Sequence, residues 1–216
     1  MRVATFNVHH CEGRDGAVDV GRVAQVIRAT GAEVVALQEL DMGLERTGFT
    51  NQPGELAAAT GLTVEFHSLL QRGDGRYGIA LAAPERLDSK LIHLPQLAKE
   101  EPRGAVVARW RGMTIVGTHL SRSRRARAAQ IEALAILAGR VEPPVVLMGD
   151  LNQPMSGLAP LLEAGFSGPR RRFWARPTRA IDHILAGPGL RVASQKTFRT
   201  KASDHPALAA EIVLAE

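Results

Sequence analysis

Cysteine is nearly absent: Cys11 is the one thiol in 216 residues. A single thiol cannot close an internal disulfide, which excludes a stapled extracellular miniprotein and fits a reducing compartment, so a cytoplasmic location is expected. Aromatics are scarce, at 4%, with one tyrosine and two tryptophans. No stretch approaches the roughly 18 apolar residues of a membrane helix, and no membrane span is expected. The opening MRVATFNVHH also lacks the apolar run of a secretion signal. No GxGxxG follows the first apolar run and no GxxxxGK[ST] occurs anywhere, against a dinucleotide-binding or P-loop fold. There is no cysteine cluster and no HExxH, so the usual zinc arrangements are missing as well.

Lysine is scarce too, supplying four of the 27 basic residues, so arginine carries the positive charge. The formal charge is +5, and nine arginines lie in two acid-free windows. Arg122, Arg124, Arg125 and Arg127 form one; Arg170, Arg171, Arg172, Arg176 and Arg179 form the other, around Phe173 and Trp174. Without those nine the chain would stand at −4 rather than +5. Such local basicity points to an acidic substrate approaching one surface. Basic residues interleaved with aromatics also suit a nucleic-acid strand.

The 45% hydrophobic content is enough for a full core. No linker or repeat divides the chain, and one domain over 1–216 is expected. Short, mostly β-branched runs predict strands at 3–6, 34–37, 79–82, 105–110, 114–118, 145–148, 181–185 and 208–213. Helical spacing of apolar residues predicts helices over 19–29 and 124–138, with Gly31 and Gly139 where C-terminal glycines are expected. Strands in succession with few intervening helices predict an α/β fold with mixed or antiparallel sheets, not a doubly wound parallel one.

Polar residues follow the apolar runs with unusual regularity. VATF ends in Asn7, VVAL in Gln38-Glu39, TIVGT in His119 and VVLM in Gly149-Asp150-Leu151-Asn152. RAI leads to Asp182-His183, and Ala202-Ser203 leads to Asp204-His205. Strand ends are where a rigid scaffold presents groups to a cleft. Glu39, Asp150, Asn7 and Asn152 are hard oxygen donors, which suit Mg2+; that ion keeps coordination positions for water and phosphate oxygens. His119 and His205 can exchange protons or hold an oxyanion near neutral pH, and Asp182 can orient one of them.

In this order Asn7, Glu39, His119, GDLN at 149–152, IDHI at 181–184 and SDHP at 203–206 resemble the endonuclease/exonuclease/phosphatase superfamily, the deoxyribonuclease I-like enzymes. The segments at 5–27, 34–41, 75–81 and 101–105 resemble a bacterial branch of metal-dependent hydrolases. The resemblance implies a four-layer α/β sandwich, two mixed, mainly antiparallel sheets packed face to face with helices outside. It implies metal binding by Glu39, with Asn7 beside it and Asp204 in support. It makes His119, Asp150, Asn152, Asp182 and His205 catalytic: Asp150 positions or deprotonates water, Asn152 and His119 contact the phosphate, and Asp182 orients His205. Arg103, Tyr77 and Arg124 are candidate substrate contacts. Where many relatives carry Asn after the Tyr-Gly pair, Tyr77-Gly78 is followed here by Ile79.

The expected activity is Mg2+-dependent hydrolysis of phosphodiesters, with Mn2+ as a substitute ion and nucleic acid among the candidate substrates. A phosphatase, a lipid-headgroup phosphodiesterase, and a non-catalytic member binding nucleic acid or protein are the alternatives. No protein partner is expected.

Overall fold

A computed structural model describes residues 1–169 and 180–215. The second arginine window, with Phe173 and Trp174, lies outside the described residues. Eleven strands and four α-helices are described: β1 (Arg2–Asn7), α1 (Val20–Thr30), β2 (Val34–Met42), α2 (Gln52–Thr60), β3 (Thr63–Arg72), β4 (Gly75–Ala83), β5 (Ser89–His93), β6 (Gly104–Trp110), β7 (Met113–His119), α3 (Arg124–Ala138), β8 (Val145–Asp150), α4 (Ala159–Glu163), β9 (Asp182–Ala186), β10 (Leu190–Phe198) and β11 (Ala207–Leu214).

The strands form a six-stranded sheet, β10-β11-β1-β2-β4-β3, and a five-stranded sheet, β5-β6-β7-β8-β9. Among the described residues, β1/β2 and β7/β8 are the parallel pairs and the other strand pairs are antiparallel. Side chains alternate across each strand, so the interior strands bury residues on both faces. Val34 and Ala36 of β2 join Ile115, Val146 and Met148 between the sheets. Val35 and Leu37, one residue on, pack outward against Val23 and Ile27 of α1. Leu147 and Val116 of the second sheet likewise pack outward with Ile131 and Leu134 of α3. The result is the expected four-layer sandwich, with one apolar layer between the sheets and one under each helical layer. At Gly117 the sheets approach closely: an added Cβ would sit 2.9 Å from Leu81 Cδ2 and 3.1 Å from the Ala36 Cβ.

Helix α1 begins at Asp19, whose side chain accepts a bond from the Arg22 N–H, and ends at Gly31 in the left-handed conformation. Gly139 behaves differently from expectation, keeping a right-handed φ of −76° after α3. There the last turn closes with the Gly139 N–H bonded to the Ala135 carbonyl, so no left-handed residue is required.

Candidate active site

The ends of β1, β2, β7, β8 and β9 meet on one side of the sandwich. His119 pairs in register with Asp150 across β7/β8, and Asp150 with Asp182 across β8/β9. Three predicted residues thus occupy one row of the five-stranded sheet. Asn7 and Gln38 close the β1/β2 ladder in the six-stranded sheet opposite. The β2/β4 register slips between Leu37 and Leu40, and Glu39 in that bulge has φ of +62°. A bulge re-aims the side chain it carries, and here it turns Glu39 into the cleft rather than along the strand's alternation.

The chain around these strand ends is shaped for close approach. Gly149 lets β8 lie against β7, because an added Cβ would fall 1.9 Å from the Thr118 carbonyl oxygen. Asn152 has φ of +49°, and His9, His10 and Cys11 form three consecutive left-handed residues. Each non-glycine residue in that conformation costs roughly 1–2 kcal/mol, an expense that marks this turn as held in place by its surroundings.

Asn7 sits at the centre. Its Nδ2 donates to Glu39 Oε1 at 2.8 Å and to Asp150 Oδ2 at 3.1 Å, while its Oδ1 accepts from the His9 N–H at 3.0 Å. Two carboxylate oxygens from different sheets therefore converge on one point. Asp150 Oδ1 accepts from the Asn152 N–H at 2.9 Å, and Asn152 Nδ2 donates to the Leu120 carbonyl at 2.9 Å. His205 places Nδ1 3.0 Å from Asp182 Oδ2 and Nε2 3.7 Å from Asp150 Oδ2. Ser203 fixes that loop: its Oγ donates to the Asn7 carbonyl at 2.8 Å and accepts from the His205 N–H at 3.1 Å.

Burial separates the protonation states of these groups. Asp150 is raised to about 6, by its burial first and then by the neighbouring Asp182 charge, against the opposing pull of His205, Asn152 and Asn7. Burial works against charge on His205, but the Asp182 hydrogen bond and the charges of Asp182, Asp150 and Asp204 outweigh it, lifting it to about 9. His119 is held well below the ordinary histidine value by burial, then by the Arg103 and His205 charges. At neutral pH the site therefore holds an Asp150 carboxylate, a His205 imidazolium and a neutral His119. Such separation of neighbouring groups is what acid–base chemistry requires.

A cleft of about 430 Å³ opens over this centre, lined by His9, Glu39, Arg46, Tyr77, Glu101, Arg103, His119, Arg122, Asp150, Asn152, Ile181, Asp204 and His205. Arg103 is buried, with Nη2 2.9 Å from Glu101 Oε2 and Nη1 3.5 Å from the Tyr77 hydroxyl. Tyr77 is kept a neutral phenol, chiefly by burial.

The endonuclease/exonuclease/phosphatase family model matches residues 4–205. The chain belongs to this family. As an endonuclease/exonuclease/phosphatase protein it is a hydrolase of phosphate esters. Its fold is similar to that of an endonuclease/exonuclease/phosphatase protein from Beutenbergia cavernae, at 21% identity and TM-score 0.80, over 99% of this chain and 71% of that one. It is also similar to a mannosyl-6-phosphatase from Bacteroides thetaiotaomicron, at 16% identity and TM-score 0.73, over 99% and 100% of the two chains. An AP endonuclease from Archaeoglobus fulgidus matches at 20% identity and TM-score 0.70, over 98% of each. A search of curated proteins finds no match.

Within this member of the family, the structure brings Asn7, Glu39, Tyr77, Arg103, His119, Asp150, Asn152, Asp182, Asp204 and His205 together around one cleft. Arg124 is exposed in the first turn of α3 and is not among the lining residues; Arg122 lines the cleft instead. Arg127 turns inward, donating to Gln153 Oε1 and to the Ser121 and Arg122 carbonyls. His183 faces away from Asp182, with Nε2 2.8 Å from the Gln153 carbonyl. Sequence reasoning passed over His9 and His10, although a His-His pair directly after the strand-end Asn7 was a readable signal. Arg46 also lines the cleft; it grips buried Asp41 through two 2.7 Å bonds and lies 5.5 Å over the Tyr77 ring.

Proposed function

We propose that this chain, as one domain over 1–216, is a divalent-metal-dependent phosphodiesterase with Mg2+ as its resident ion and Mn2+ as a substitute. The observation that carries the reading is the convergence of Glu39 Oε1 and Asp150 Oδ2 on the Asn7 amide. Neutral His119 Nε2 lies 3.5 Å from Asp150 Oδ2 and 3.8 Å from Glu39 Oε1, and the His205 imidazolium Nε2 lies 3.7 Å from Asp150 Oδ2. Two carboxylate oxygens gathered on one amide, with neither held by a cation in direct hydrogen-bond contact among the described residues, fit a hard divalent ion. Glu39 would hold it, with Asn7 orienting Glu39 and Asp150, Asp150 facing the ion's water and Asp204 at the cleft edge. Bound there, such an ion neutralises phosphate oxygens and lowers the pKa of a water.

The rest of the chemistry falls to the chain. Asp150, ionised above about pH 6, is the base that positions the attacking water and takes its proton. The His205 imidazolium, fixed by Asp182, donates to the non-bridging oxygens as charge builds at phosphorus. Asn152, tied to Asp150 and to the Leu120 carbonyl, and neutral His119 contact the same phosphate. Arg103 and Arg122 draw the anion into the cleft.

Nucleic acid is the favoured diester. Arg124 and Arg125 occupy the first turn of α3, which has no acidic residue there. Basic side chains at a helix N-terminus add to the positive end of the helix dipole, an arrangement that disfavours the isolated helix and attracts a polyanion. The lone Cys11, buried and pushed up to about 12 by that burial, fits a cytoplasmic setting.

Bis-p-nitrophenyl phosphate and p-nitrophenyl phosphate, assayed side by side with Mg2+ or Mn2+, test the reading. Faster turnover of the diester is expected, lost in Glu39→Gln. Full activity of Glu39→Gln would overturn the metal assignment, and preference for the monoester would favour a phosphatase.

A further inference from the structure

Glu39 has two oxygens, and only one faces the catalytic centre. Oε1 accepts from Asn7, whereas Oε2 is turned toward the left-handed turn at His9–Cys11 and lies 3.9 Å from His10 Nδ1. The two histidine rings are 4.3 Å apart. One ring nitrogen of His9, one of His10 and a Glu39 oxygen all lie within 4.8 Å of one another.

The contacts around the two rings differ. His9 Nδ1 is 3.3 Å from the Glu12 carbonyl, which can only accept, so that nitrogen carries the proton and Nε2 is left with its lone pair. His10 Nε2 faces the Glu12 carboxylate at 3.6 Å, while His10 Nδ1 is buried with no hydrogen-bond partner among the described residues. The Glu12 carbonyl thus accepts from one nitrogen of His9, the Glu12 carboxylate faces one nitrogen of His10 beyond hydrogen-bond distance, and the other nitrogen of each ring is bare among the described residues. At His9 that is the relation of an outer acceptor to a metal-ligating histidine, in which the hydrogen bond sets the tautomer and the ring orientation. A buried imidazole lone pair without a donor is otherwise an unexplained loss.

We infer that His9, His10 and Glu39 form a second cation site, selective for a borderline divalent transition ion of the Zn2+ or Co2+ class over Mg2+. Two nitrogens and one carboxylate oxygen suit such ions, whereas Mg2+ favours oxygen alone. Glu39 is shared, with one oxygen toward the oxygen-rich catalytic centre and the other toward the imidazole pair. Glu12 is a positioning residue: its carbonyl orients His9 and its carboxylate faces the outer nitrogen of His10. The site stands whether or not the protein cleaves diesters, because it rests on ligand chemistry and not on turnover.

The test is binding of Co2+ and Zn2+ to the full chain in a large excess of Mg2+. Co2+ is followed by its visible absorption, and Zn2+ by long-range proton–nitrogen NMR of the imidazoles. The wild type should bind one Co2+ that Mg2+ does not displace. Asn tolerates left-handed backbone better than Ala does, so His9→Asn and His10→Asn preserve the turn. Each should weaken Co2+ by about 100-fold or more, and Glu12→Gln by about tenfold. Zn2+ should shift the ring nitrogens of His9 and His10 and leave the distant His67 and His93 unmoved, a readout that needs no variant. Equal Co2+ affinity in wild type and both histidine variants would overturn the site. So would Zn2+ shifts confined to His119 and His205, or mole-for-mole displacement of Co2+ by Mg2+. Absence of diester hydrolysis with these binding results intact would refute the phosphodiesterase reading alone.

Discussion

Asp182→Asn separates the charge of the Asp182–His205 pair from its shape. The amide keeps the side-chain volume and one acceptor oxygen, but it removes the carboxylate that lies 3.0–3.1 Å from His205 Nδ1. His205 rises from the ordinary 6.5 to about 9 against its own burial, with Asp182 the largest of the groups that raise it. A rise of that size corresponds to about 3 kcal/mol favouring the protonated folded form. Because the folded value is raised, this stabilisation is fully present below about pH 6.5 and disappears as pH climbs through about 9. In Asp182→Asn the burial is left less opposed, and His205 should titrate at or below its ordinary value. Asp150 loses the like charge across the β8/β9 row, which raises it, and part of the smaller opposing His205 charge, so any downward move should be small. The two groups are coupled, so both midpoints should be followed together. Imidazole NMR titration of metal-stripped protein reads the His205 midpoint directly. Urea unfolding at about pH 6 should show a loss of about 2–3 kcal/mol in the variant, shrinking toward zero near about pH 10. Diester turnover at neutral pH should fall by about 100-fold or more, because the imidazolium that faces the phosphate is no longer held. A His205 midpoint that stays near 9 in the variant, or a stability difference that does not change with pH, would refute the reasoning.

Three further outcomes follow from packing and burial. Gly149→Ala places a Cβ 1.9 Å from the Thr118 carbonyl oxygen, so β7 and β8 must part at the row carrying His119 and Asp150; calorimetry should show a loss of about 3 kcal/mol or more, about 6 °C or more in Tm. Arg103→Lys cannot bridge Glu101 and the Tyr77 hydroxyl together; KM for the diester should rise about tenfold or more with a smaller change in kcat, and an unchanged KM would remove Arg103 from the binding set. Cys11 is fully buried with its thiol raised to about 12, so iodoacetamide should label it only after unfolding; rapid labelling of native protein would contradict that burial.

How much of this was legible beforehand depended on where each strand lies in its sheet. Each interior strand overlaps an apolar run in the sequence, because both faces are covered and nearly every residue must be apolar. The strands that went unread, β3, β5 and β10, are edge strands with partly exposed faces; β10 carries Ser194, Gln195, Lys196 and Thr197. Polar edges hinder pairing with other chains, and they also erase the apolar signal. Helix α2 was missed for a related reason: QPGELAAAT buries little beyond Gln52, Pro53 and Leu56, and its markers are the Asn51 cap and Gly61. Asp150, His119 and Asp182 could be named as site residues from their position after apolar runs. Their common row could not, since it depends on strand register.

By itself, the sequence determined the kinds of group present and many of the local elements that carry them: oxygen donors and histidines at strand ends, an amphipathic α1 ending at Gly31 and the apolar runs of the interior strands. The tertiary structure decided what those groups do to one another. The β2 bulge turned Glu39 into the cleft, and strand register put Asp182 beside Asp150. Burial then drew the titrations of Asp150, His119 and His205 apart, and the left-handed turn brought His9 and His10 to the far side of Glu39. Protonation and coordination depend on distances of a few ångströms between residues as far apart in the chain as Asn7 and Asp150, and only the packing of two sheets sets those distances.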